Sequence, residues 1–188
     1  MSSMPMESNP SPASLGALSD VRTLRERARK QIEDGAITLS YGADKEKVIQ
    51  LLDEALATEI VCVLRYKRHY FTAVGMNAES AKTEFLEHAQ QEQEHADRIA
   101  ERIVQLGGQP DLNPDTLTRR SHAEYKEGRD LKEMITEDLV AERIAIESYR
   151  EMIAFVGDQD PTTRRVLEDI LMTEEEHAED LGSLLQGF

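Results

Sequence analysis

The 188-residue chain has one cysteine, Cys62, so neither an internal disulfide nor a cysteine-based zinc site is open to it. No apolar run approaches the length of about 18 residues that a membrane-spanning helix needs. The opening stretch MSSMPMESNPSPASLGALSD lacks both the basic start and the apolar core of a secretory signal, which makes a cytoplasmic location the default. Basic residues are also few: 22 Lys and Arg stand against 37 Asp and Glu, a net charge of −15. Nucleic acid needs basic patches, so a DNA or RNA partner is disfavoured, whereas an acidic field draws cations, metal ions included. No segment shows the alternation of a half-buried strand.

What the sequence does contain is helical. Residues 1–43 read as a flexible N-terminal extension, rich in Ser, Pro and Met over 1–19 and with a short amphipathic helix predicted within 20–34. Its basic look (Arg22, Arg25, Arg27, Arg29, Lys30) is cancelled by five acids, which suits an arm docking on a neighbouring subunit better than one docking on DNA. Residues 44–188 carry four long helical patterns. The first runs from about Asp44 to Val74 before Gly75, and the second from Asn77 as N-cap to Gly107-Gly108. The third opens on the capping box Asp130-x-x-Glu133 and ends near Gly157; the fourth has Asp160 as N-cap, Pro161 at its first position and an end near Leu185. Short turns make the first pair and the last pair antiparallel hairpins. The long link QPDLNPDTLTRRSHAEYKEG can cross the length of a bundle between them. Two hairpins joined by one long crossover give an all-α, ferritin-like four-helix bundle.

Ionisable residues interrupt the apolar stripes. The second helix reads Phe85, His88, Glu92, His95, Ile99, Ile103, Leu106, and the fourth Leu167, Ile170, Glu174, His177, Leu181, Leu184. Steps of three and four place each set on one face. The first helix contributes Val48, Leu52, Ala55, Glu59, Cys62, Tyr66, and the third Ile135, Asp138, Glu142, Ala145, Tyr149, Ile153. The spacing repeats: Glu59 precedes Glu92 by 33 residues and Glu142 precedes Glu174 by 32, while each helix-one or helix-three glutamate is followed by tyrosine after seven. A single helical glutamate is usually solvated. Four at matched depth in the core register, with two histidines, would be costly to bury without counter-charge. Two divalent cations resolve that cost, and four Glu with two His is the ligand set of a dinuclear carboxylate site. Oxygen and imidazole donors suit Fe(II) or Mn(II), and Zn(II) would bind as well. Tyr66 and Tyr149 read either as functional residues, hydrogen-bonding the ligating acids or donating an electron, or as core tyrosines with satisfied hydroxyls. Asp138 reads as the orienting partner of a ligand histidine or as a polar residue near the bundle end. His88 is an extra or transit ligand or a packed core histidine, and Cys62 a small core residue.

The stretches ALATEIVCVLRY, EQEHADRIAERIVQLGGQPD, EDLVAERIAIE and EEEHAEDL resemble bacterioferritin, and the match spans about residues 45–185. The resemblance implies a ferroxidase centre with Glu59, Glu92, His95, Glu142, Glu174 and His177 as ligands, Glu92 and Glu174 as the bridging pair, and Tyr66 beside it. It also implies Fe(II) and O2 or peroxide as reactants and a mineral store inside a closed homo-oligomer. Gln93 stands where that family has its haem-ligating methionine, which argues against haem. The chain ends at Phe188 with no room for the family's fifth helix, and SHAEYKEG could form a short crossover helix. With the N-terminal extension, these features are similar to the Dps-type mini-ferritins and point to twelve subunits rather than twenty-four. The cysteine pair of that group's archaeal-type members has no counterpart here. A rubrerythrin-like peroxidase or a manganese-catalase-like enzyme is the alternative use of the same site.

Overall fold

The computed structural model of the protein describes residues 18–76 and 78–188. The chain divides into two units at Leu39/Ser40. In the first, helix α1 (Val21–Arg27) begins at Asp20, whose carboxylate accepts the Thr23 N–H at 3.0 Å, and a 3-10 turn follows over Ile32–Asp34. The helix is shorter than the predicted 20–34. It buries no residue, so little beyond its cap supports it, and Gln31 then takes a left-handed φ of 52°. The disorder expected of residues 1–19 falls almost wholly outside the described residues.

The second unit holds α2 (Lys45–Thr72), α3 (Ala78–Gln105), α4 (Pro114–Arg120), α5 (Leu131–Val156) and α6 (Pro161–Leu185), with no strand among the described residues. Their ends follow from capping chemistry. The carboxylates of Asp44, Asp130 and Asp160 accept the N–H of Lys47, Glu133 and Thr163 at 3.1, 2.9 and 2.9 Å. The box at α5 is not reciprocal: Glu133 Oε2 takes the N–H of Arg129, one residue before the cap. The expected cap Asn77 lies outside the described residues. Helix α2 stops at Thr72, two residues before the predicted Val74, and Gly75 turns the chain with φ 121°. Helix α3 closes on Gly107 (φ 82°), whose N–H reaches Val104 O while Gly108 N–H reaches Ile103 O, both at 2.9 Å. At Gly108 a Cβ would meet Ile103 Cγ2 at 2.9 Å and Ile49 Cγ2 at 3.1 Å, so glycine lets the loop pass this close to the helices.

Helix α2 packs along α3 and α5 along α6, and the two hairpins meet through α3 with α6 and α2 with α5. The crossover is tied down on α2. Leu117 of α4 packs on Ala57 and Val61, Arg120 Nη1 donates to Asp53 O at 2.7 Å, and His122 N–H donates to Thr58 Oγ1 at 2.9 Å. The short crossover helix is not in SHAEYKEG, which is non-helical, but one segment earlier at Pro114–Arg120. Asn113 accepts the Asp115 N–H at 3.1 Å and Pro114 fills the first turn, a stronger start signal than Ser121 offers. All members of the four predicted stripes are buried except Ile153 and Leu184 near the helix ends, which are partly exposed. The core therefore contains ionisable residues in mid-helix, and these define the site.

Candidate metal centre

The six predicted ligands lie together, drawn from all four long helices. Glu59, Glu92, His95 and Glu174 form one group whose potential ligand atoms lie within 4.8 Å of one another; Glu92, Glu142, Glu174 and His177 form a second. Glu92 and Glu174 belong to both, so they would lie between two cations if each group held one. Nδ1 of His95 lies 3.3 Å from Glu59 Oε2 and 2.9 Å from Glu174 Oε1, and Nδ1 of His177 lies 3.4 Å from Glu92 Oε1 and 3.7 Å from Glu142 Oε2. None of these approaches is aligned as a hydrogen bond. Seven buried nitrogen and oxygen atoms of these six residues have no hydrogen-bond partner: Glu59 Oε2, Glu92 Oε1, His95 Nδ1, Glu142 Oε2, both Glu174 oxygens and His177 Nδ1. Buried polar atoms are ordinarily satisfied, so orphans converging at one place fit a pair of cations.

The two tyrosines brace the centre crosswise. Tyr66 on α2 donates to Glu142 Oε1 on α5, and Tyr149 on α5 donates to Glu59 Oε1 on α2. Burial, reinforced by the charges of Glu142 and Glu59 respectively, raises both phenols well above their usual range, so they stay hydroxyl donors. Each outer glutamate thus spends one oxygen on a tyrosine from the opposite hairpin and keeps the other for the centre.

Burial and the crowding of like charges favour bound protons on several of these groups. Burial, with the charge of Glu92 behind it, holds Glu59 well above the usual carboxylate range. Burial and the charges of Glu59 and Glu142 push Glu174 up to about 8. For Glu142 burial acts upward too, but His177, Glu174 and Tyr66 outweigh it and bring the group down to about 2. Burial opposes charge on His95, yet the facing Glu174, Glu59 and Glu92 raise it to about 12; His177 is raised well above its normal value in the same way.

The surroundings hold residues the sequence reading did not single out. His177 Nε2 lies 2.7 Å from Gln91 Oε1. An Nε2–H donating there leaves Nδ1 as the ligating nitrogen. Gln91 sits one position off the apolar stripe, where a polar residue looks merely solvated. Asp138 orients a histidine, but not a ligand. Its carboxylate takes Arg65 Nε at 2.7 Å and lies 2.7 Å from His69 Nδ1, while Arg65 also donates to Glu124 O and His69 Nε2 lies 3.0 Å from Lys126 O. This buried network pins the crossover to α2 and α5. At the other end Arg102 ties α3 to the start of α6, bonding Asp160 and Thr163, with Tyr41 donating to Asp160. Cys62 is buried in the core, and burial keeps it a thiol. Gln93 is exposed and donates to Asp97 at 3.0 Å.

Comparison with known proteins places this architecture. A family model described as a ferritin-like domain matches residues 49–188. The chain belongs to the ferritin-like family. The bacterioferritin-related protein from Bacteroides fragilis, described as a dodecameric thioferritin, superposes with a TM-score of 0.75 at 31% identity, over 78% of this chain and 88% of that one. A nutrient stress-induced DNA-binding protein of Synechococcus is 29% identical over 82% of this chain and 89% of its own length. A bacterioferritin of Desulfovibrio desulfuricans is 28% identical over 74% and 76%. The ferritin-like match covers every helix that supplies a candidate ligand. Among the described residues no helix is long and apolar enough to cross a membrane.

Proposed function

We propose that this ferritin-like chain is a ferroxidase: it takes Fe(II) as substrate at the six-residue centre, oxidises it, and keeps the ferric product inside a closed homo-oligomer. The observation that carries this is the pair of ligand groups sharing Glu92 and Glu174, with buried donor atoms left unpartnered. Two Fe(II) ions lose one electron each. The two electrons and two protons convert O2 to H2O2, or H2O2 to two waters. The four carboxylates offset the charge gained on going to Fe(III), and Glu92 and Glu174 hold the two ions adjacent. Tyr66 and Tyr149 fix the outer carboxylates, and Gln91 sets the His177 tautomer. Twelve subunits is our assignment for the oligomer, supported by the dodecameric Bacteroides fragilis relative. A reducing cytoplasm, where Fe(II) persists, is the compartment this activity suits. Haem at position 93 is left out, since a carboxamide bonded to Asp97 stands there.

Peroxide as the working oxidant, in a stress-protective role, is the second reading, supported by the similarity to the stress-induced Synechococcus protein. The net charge of −15 speaks against carrying that relative's DNA binding over to this chain. Stepwise aerobic and peroxide-driven addition of Fe(II), with ferric absorbance and oligomer mass followed, tests both readings. Storage predicts a large closed oligomer that retains far more than two irons per chain, and Glu92→Ala should abolish rapid oxidation. A monomer or dimer retaining only about two irons would instead leave a rubrerythrin-like or manganese-catalase-like redox enzyme. An unchanged rate in Glu92→Ala would refute the site.

A further inference from the structure

His88, one turn before Glu92 on α3, is buried to 98% in its side chain and stacks on His177 with ring centroids 4.0 Å apart. Its Nδ1 lies 3.3 Å from Tyr66 Oη. The Tyr66 proton is already committed to Glu142, so the phenol oxygen can only accept, and His88 Nδ1 must be the donor. The lone pair is then on Nε2. It faces Glu84 Oε2 at 3.8 Å and Asp180 Oδ2 at 3.7 Å, both beyond hydrogen-bond reach. Among the described residues no lysine or arginine pairs with either acid. The Nε2 lone pair of a side chain buried to 98% is thus aimed between two carboxylates, an arrangement that a cation among them would satisfy. The three ligand atoms are within 4.8 Å of one another.

The internal repeat shows that the cluster is not a by-product of duplication. A shift of 82 residues carries Glu92 onto Glu174 and His95 onto His177. The same shift pairs Glu84 and His88 with Val166 and Ile170, and Asp180 with Arg98. The corresponding positions are therefore two aliphatic residues and an arginine, the last already paired with Asp169 at 3.1 Å. Three ligand-type residues gather at one end of the centre only.

We propose that Glu84, His88 and Asp180 form a third cation site, for a single divalent ion of the Fe(II), Mn(II) or Zn(II) class. Two carboxylates neutralise the ion and the imidazole supplies the nitrogen donor. The site opens to solvent through Asp180 and Glu84, whose side chains are 55% and 32% exposed. Burial and the neighbouring Asp180 charge raise the Glu84 carboxyl, a cost that a bound cation would offset. His88 is the inner ligand, and through Tyr66 it shares a hydrogen-bond chain with Glu142. The third site stands whether or not the ferroxidase reading holds.

Anaerobic equilibrium dialysis of the full-length oligomer against Co(II), with metal analysis and visible spectra, tests it. Wild type should hold three Co(II) per chain, and Asp180→Asn and Glu84→Gln two each. A Glu59→Gln/Glu174→Gln variant should keep one, which adding Asp180→Asn removes. Two Co(II) in wild type, unchanged by Asp180→Asn, would overturn the third site and leave the dinuclear centre standing. A single Co(II) in wild type that Asp180→Asn abolishes would support the third site and sink the dinuclear reading.

Discussion

Loading the metal-free centre with two divalent cations should expel about four protons per chain at pH 7. Burial and neighbouring carboxylates push Glu59 and Glu174 toward the protonated form, Glu59 well above the usual carboxylate range and Glu174 up to about 8. His95, at about 12, and His177 keep their imidazolium protons because carboxylates surround them. All four residues must give up those protons to offer a lone pair, two from carboxyls and two from imidazoliums. Glu142, at about 2, has none to give. Protons therefore compete with the metal, and affinity rises with pH. Below pH 8 the affinity for the pair should climb about four decades per pH unit. Above about 8 Glu174 is already ionised in the metal-free protein, so the slope should fall to about three. Calorimetric titration with Zn(II) in buffers of different ionisation enthalpy counts the protons directly. Performing it on Asp180→Asn confines the count to the dinuclear centre. Release of one proton or none would mean that the acids are ionised and the imidazoles neutral before metal arrives, and the charge distribution drawn above would be wrong.

Two further outcomes follow from the residues around the centre. Asp138→Ala leaves the Arg65 guanidinium, 1% exposed, without its carboxylate, and should destabilise the metal-free protein by about 3–5 kcal/mol in urea unfolding; a loss below about 1 kcal/mol would show that the network is not holding the crossover. Gln91→Leu removes the acceptor opposite His177 Nε2 and should weaken the cation bound by His177 about 10–100-fold, leaving the His95 position unchanged in stepwise Zn(II) titration. Equal weakening at both positions would contradict a tautomer-setting role.

The features legible in the sequence are those written locally. Apolar periodicity located the four long helices, and the caps Asp44, Asp130 and Asp160 stand where their spacing to the first turn places them. The Glu-x-x-His repeats and their matched glutamates marked six residues that the fold gathers, because residues on one stripe of each helix must face one axis. What stayed hidden depends on the register between elements far apart in the chain. His69 has meaning only against Asp138, 69 residues away, and Gln91 only against His177, 86 away. Neither lies on a predicted stripe. Asp138 did lie on one, but its partners come from α2 and the crossover rather than from the ligand histidines. The crossover helix was misplaced because a polar, charged link offers no periodicity, and its start signal, Asn113-Pro114, was the only local cue.

Neither hairpin contains a whole cation position. The group around His95 takes three residues from α2 and α3 and borrows Glu174; the group around His177 takes three from α5 and α6 and borrows Glu92. The crossed tyrosines repeat the exchange. A nascent chain that has formed only its first hairpin presents three of the four donors and lacks Glu174, the second shared carboxylate. Docking of the halves and completion of the centre are then one event. On the ferroxidase activity proposed above, a released hairpin fragment would have no complete cation position at which to oxidise iron.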